Sequence, residues 1–135
     1  MKEKNYKQVL SEYRLERAKT TLEDAQNLYN IQGSPVSIVN RAYYSMFYAA
    51  LALLATVDKE SKKHSGVLAL FDQTFIKTNK LPKEMSKMLR EAFNTRQAGD
   101  YEDNSNVDMA KATQILAYAK QFIKSTEEEL TQNKK

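Results

Sequence analysis

The chain has 135 residues, 41% of them apolar and 28% charged, with a formal net charge of +4 and a single histidine; that is enough for one self-sufficient core without staples. It has no cysteine, which excludes disulfides, thiolate nucleophiles and sulfur-ligated zinc or iron–sulfur centres and fits a cytoplasmic protein. The N-terminus lacks the apolar stretch of a secretory signal. The longest apolar run, 42–57, is interrupted by Ser45 and tyrosines and falls short of the ~20 residues that span a bilayer, so no membrane association is expected.

Only three glycines and two prolines punctuate the chain, and between them apolar residues recur at three- and four-residue steps. This is the pattern of an all-α protein, read here as one domain over 1–135, an antiparallel up-and-down bundle of four to five helices. The first helix is predicted from Tyr6 to Ile31, with Leu15, Ala18, Leu22, Ala25 and Tyr29 on one stripe and Gly33 as its left-handed cap. Ser34-Pro35 restarts a helix, serine as N-cap and proline at the first helical position. This second helix runs to Val57; Tyr43, Met46, Phe47, Ala50 and Leu54 form one face and Ala42, Ser45, Ala49, Ala52 and Thr56 another. Apolar nearly all round, it is expected to be buried nearly all round.

After a polar loop over 58–63, Val67, Leu70, Phe71 and Phe75 mark a third helix, opened by His64 or Ser65. Leu81-Pro82 breaks the pattern, and Met85, Met88, Leu89, Ala92 and Phe93 make a fourth helix that ends near Gly99. An acidic connection follows, and Ser105 or Asp108 caps a fifth helix whose stripe includes Ala112, Ile115, Leu116, Ala119, Phe122, Ile123 and Leu130. Its tail from Thr131 is expected to fray.

Charge is unevenly distributed: residues 59–90 carry eight Lys or Arg against three acids, whereas 100–108 carry four acids and no base. The first stretch can attract phosphate, although solvated lysines on helix faces are the ordinary explanation. There is no phosphate-cradling glycine loop, no metal-spaced histidine pair and no Gly-x-Ser-x-Gly elbow. A calcium loop starting at Asp100 fails, because Ser105 stands where glycine is needed and Lys111 where the closing glutamate belongs. No metal and no cofactor is expected.

Arg96 continues the apolar stripe of the fourth helix, so its side chain leaves toward the core or its edge. Arg41 shares a face of the second helix with Tyr44 and Tyr48, three and seven residues on. Two arginines gathered beside phenols make a phosphate-binding fork; an internal ion pair, with Asp100 as acceptor, explains the same residues. His64 is the natural proton carrier near neutral pH, or else a helix cap or packing residue.

The segments Asn40-Arg41-Ala42-Tyr43-Tyr44-Ser45-Met46-Phe47-Tyr48-Ala49-Ala50, His64-Ser65-Gly66-Val67 and Arg96-Gln97-Ala98-Gly99-Asp100-Tyr101 together resemble HEPN domains of the small prokaryotic branch. The resemblance implies a helical bundle that forms a homodimer with a groove at its interface. Several HEPN proteins are metal-independent ribonucleases that act as toxins, commonly paired with a minimal nucleotidyltransferase as antitoxin; others bind nucleotides or RNA. The nuclease branch carries an arginine followed, after four to six residues, by a histidine. Arg96 matches the arginine, but the histidine positions fall on Tyr101, Glu102 and Asp103, so the expected proton carrier is missing.

Three functions follow. In a binding module, Arg41, Tyr44, Tyr48, Arg96 and Asp100, with Tyr101, hold a nucleotide or RNA phosphate. In an endoribonuclease, Arg96 stabilises the transition state while His64 or Tyr101 moves the proton. In a helical adaptor, the arginines only satisfy the tyrosines and Asp100. Resemblance also makes Tyr101 a candidate acceptor of AMP from the partner nucleotidyltransferase.

Overall fold

A computed structural model describes residues 2–101 and 107–133. The chain is an all-α bundle of α1 (Lys2–Asn30), α2 (Pro35–Ala55), α3 (His64–Phe71), α4 (Lys83–Tyr101) and α5 (Met109–Asn133), with one π-helical turn, Asp72–Ile76, after α3. Successive long helices are antiparallel. Ser11 donates to the Ala52 carbonyl between α1 and α2, Arg96 reaches Tyr44 between α4 and α2, and Lys111 pairs with Glu91 between α5 and α4. Among the described residues no helix is long and apolar enough to cross a membrane.

α2 is the central post and packs against α1, α4 and α5 as well as α3. Both of its expected faces are buried, the large one through Tyr43, Met46 and Leu54 and the small one through Ala42, Ser45, Ala49 and Ala52, all at 0% exposure. The helix it packs against most extensively, α1, has short side chains at its own buried positions, Ser11, Ala18, Thr21 and Ala25. Short side chains let two backbones approach closely, close enough here for the Ser11 hydroxyl to reach a main-chain carbonyl at 2.9 Å. The price of this packing is intolerance: added methylenes at such sites cost about 1–3 kcal/mol.

Helix starts follow the sequence. Ser34 caps α2, accepting from the Ser37 amide at 3.3 Å, and Pro35 occupies the first turn. Of the two caps considered for α5, Asp108 accepts from the Lys111 amide at 2.8 Å, while Ser105 lies outside the described residues. α3 begins at His64, after Lys63, which makes no side-chain capping bond.

Helix ends differ from expectation. The left-handed residue after α1 is Gln32, with φ 58°, and Gly33 has no positive φ. The amide of Gly33 donates to Leu28 O at 2.7 Å and that of Gln32 to Tyr29 O at 3.1 Å, the bond pair of a Schellman cap with Gln32 at the left-handed position. Glycine serves at 33 for space, since a Cβ there would lie 3.1 Å from the Leu28 carbonyl oxygen. α2 stops at Ala55, short of Val57, and the same cap recurs with Asp58 left-handed: Lys59 donates to Leu54 O and Asp58 to Ala55 O. Phe75, expected in the third helix, sits instead in the π-helical turn, closed by Lys77 donating to Asp72 O. α5 runs to Asn133, and the last two residues of the tail expected to fray lie outside the described residues.

Candidate functional site

The site grows from the middle of α2. Tyr44 is half-buried between two arginines. Arg96 of α4 donates to its hydroxyl at 3.0 Å with the guanidinium carbon 5.2 Å from the ring centre, and Arg41 lies 5.3 Å from the same ring. One turn along α4, Asp100 accepts from Arg96 Nε at 2.8 Å and from the Asn40 amide at 3.2 Å. Asn40 Oδ1 in turn accepts from Arg41 Nε and Nη2 at 3.2 and 3.0 Å. Arg96, Asp100, Asn40 and Arg41 thus form a chain of polar contacts around Tyr44. Both cations gather at one phenol, and one carboxylate, Asp100, compensates Arg96, whose side chain is 12% exposed.

His64 joins this cluster from the start of α3. Its ring stacks on Phe47 at 4.2 Å and 12° and its Nδ1 lies 2.7 Å from the Tyr43 hydroxyl. Burial, with Arg96 second, pushes the His64 pKa below its usual value. Burial pushes the Tyr43 phenol well above its own, with Arg96 opposing and Tyr44 adding to the rise. The Tyr43 hydroxyl and His64 Nδ1 therefore share one hydrogen bond whose direction follows the imidazole tautomer: the hydroxyl donates when the ring hydrogen is on Nε2, and Nδ1–H donates when it is on Nδ1.

His64, Ser65, Phe93, Arg96 and Gln97 line an open depression of about 360 Å³, within the size range of small-molecule sites. Its polar groups are a guanidinium, which only donates, and a hydroxyl, a side-chain amide and the imidazole, each of which can donate. The first amides of α3, without a side-chain cap, face no intrahelical partner and favour an anion. Such a surface suits phosphate. Among the described residues no three His, Cys, Asp or Glu side chains gather as a metal site.

A model of the HEPN domain matches residues 11–130. The chain belongs to the HEPN family. Relatives include a Methanocaldococcus jannaschii protein named "Putative toxin MJ0142", 41% identical over 128 residues, 95% of this chain and 86% of its own. A UPF0332 protein of Thermotoga maritima is 42% identical over 97 residues, 72% of this chain and 73% of its own. A third, from Gloeobacter violaceus, is 35% identical over 119 residues, 87% and 94% of the two chains.

Of the candidates on this HEPN chain, Arg41, Tyr44, Arg96 and Asp100 meet in one contact network, and His64 lines the depression with Arg96. Tyr48 stands beside Tyr44, ring centres 6.0 Å apart. Tyr101 is the last residue of α4; its side chain lies outside the described residues, as do Glu102 and Asp103. Sequence reasoning missed the Tyr43 hydroxyl, the Asn40 link and Arg17, whose guanidinium carbon lies 4.3 Å from the Tyr48 ring centre. The helical period places Tyr43 in the core but says nothing about where its hydroxyl ends.

Proposed function

We propose that this HEPN chain is a cytoplasmic nucleotide- or RNA-binding protein, a homodimer and the toxin-type partner of a minimal nucleotidyltransferase. The observation that carries the reading is the donor-rich depression in which Arg96, held by Asp100 and Tyr44, stands beside Ser65, Gln97 and His64. Its N–H donors fit phosphate oxygens, and Arg96 arrives pre-oriented, so little side-chain entropy is lost on binding. The relative named as a toxin supports the biological setting.

Binding of labelled single-stranded RNA and of AMP to the wild type and to Arg96→Ala tests this. The variant should lose at least about tenfold in affinity, one charge-assisted hydrogen bond, while circular dichroism stays helical. Equal affinities for both proteins refute the assignment.

Cleavage is the second reading, favoured by the meeting of His64 and Arg96 in one depression. To act as the base in cleavage, His64 needs Nε2 free to accept the 2′-hydroxyl proton, as in the tautomer whose Nδ1–H donates to Tyr43. Metal-free incubation with RNA decides: new ends bearing cyclic phosphate, absent with Arg96→Ala, establish a nuclease, and intact RNA leaves the binding module.

A further inference from the structure

The tyrosines of α2 repeat one arrangement. Tyr44 carries Arg96 and Arg41 against its ring; one turn further, Tyr48 carries Arg17, reaching across from α1. Another turn on, Arg14 of α1 donates to the Leu51 carbonyl at 3.2 Å. Guanidinium groups thus follow one another along α2, away from the depression. Arg17 is exposed, and among the described residues no salt bridge engages it. A ring beneath a guanidinium fixes its position without consuming its in-plane N–H donors.

We propose that Arg17 is a phosphate contact for a further nucleotide of a single-stranded RNA whose first phosphate sits at Arg96, so that the ligand is an oligonucleotide laid along α2 and not a mononucleotide. This rests on the reading of the Arg96 depression as a phosphate site. One turn of four residues advances about 6 Å along α2, a step that the backbone of one nucleotide spans, and a line of cations that tracks the backbone is how single strands are bound without regard to sequence. Arg14, partly spent on Leu51, marks where the track meets the backbone of α2.

The test measures affinity against salt for AMP and for a single-stranded RNA of about eight nucleotides, with wild type, Arg17→Ala, Arg17→Lys and Arg96→Ala. Arg17→Ala should leave AMP binding unchanged, weaken the oligonucleotide by about tenfold, and flatten its log–log salt dependence by ~0.7, the contribution of one phosphate contact on a single strand; Arg17→Lys should restore the slope. Unchanged oligonucleotide affinity and slope in Arg17→Ala, with binding lost in Arg96→Ala, overturn the track and leave the depression standing. Absence of wild-type binding to either ligand overturns both. If Arg17→Ala alters the monomer–dimer balance in light scattering without moving the slope, this face is a protein contact and the proposal fails.

Discussion

Tyr43→Phe separates the two chemical roles open to His64. The substitution keeps the ring and its packing but removes the hydroxyl 2.7 Å from Nδ1. If that hydroxyl donates to Nδ1, it stabilises only neutral imidazole, because the imidazolium has no lone pair there to accept. A neutral hydrogen bond is worth about 0.5–1.5 kcal/mol net, and one pKa unit is ~1.36 kcal/mol. The His64 pKa should therefore rise by about 0.4–1 unit in Tyr43→Phe, and the protein should lose a similar ~0.5–1.5 kcal/mol of stability at pH 8. The assay is an NMR titration of the imidazole C–H resonances, unambiguous because the chain has one histidine. A fall in pKa would refute the reasoning. It would mean that Nδ1–H donates to the phenol, leaving Nε2 as a base and favouring the nuclease.

The remaining expectations concern pH and the helix ends. Because the folded-state pKa of His64 is lowered, its contribution to stability is full above the unfolded value near 6.5 and is lost as pH falls through the folded value; thermal melts at pH 7.5 and 5.5 should show this and His64→Gln should flatten it. RNA affinity should run the other way, tightening as pH falls and His64 gains charge, whereas a base-catalysed cleavage would weaken. Gln32→Gly relieves a side chain at φ 58° and should add about 0.5–1 kcal/mol in chemical denaturation; a loss would show that the Gln32 side chain makes a compensating contact. Gly66→Ala places a Cβ 2.1 Å from Ser61 Oγ and 2.9 Å from its Cβ, so it should destabilise, and Ser61→Gly in the same chain should restore the melting temperature. No restoration would place the strain elsewhere.

The frame of the bundle was legible because helix period and caps are local. Ser34-Pro35, Asp108 and the two faces of α2 all act within a few residues of themselves. Part of the site was legible for the same reason: Arg96 and Asp100 stand one turn apart, as do Arg41 and Tyr44. The contacts that complete it were not, since Tyr43 to His64 spans 21 residues and Arg17 meets Tyr48 only through the crossing of α1 and α2. Nothing in a period of three and four fixes that crossing. The left-handed cap falls on Gln32 and not on Gly33 because the preference for glycine there is statistical, whereas the cap's position follows from where the helix's last hydrogen bonds close. The π-helical turn was invisible for a related reason: one widened turn displaces the apolar pattern too little to be seen before Pro82.

The most direct measurement of the central claim follows the His64 resonance while AMP, then single-stranded RNA, is added to the metal-free protein. Binding in the depression predicts a saturable shift of the His64 signal by both ligands, absent in Arg96→Ala. RNA that binds the wild type without moving His64, or moves it equally in Arg96→Ala, would contradict the account.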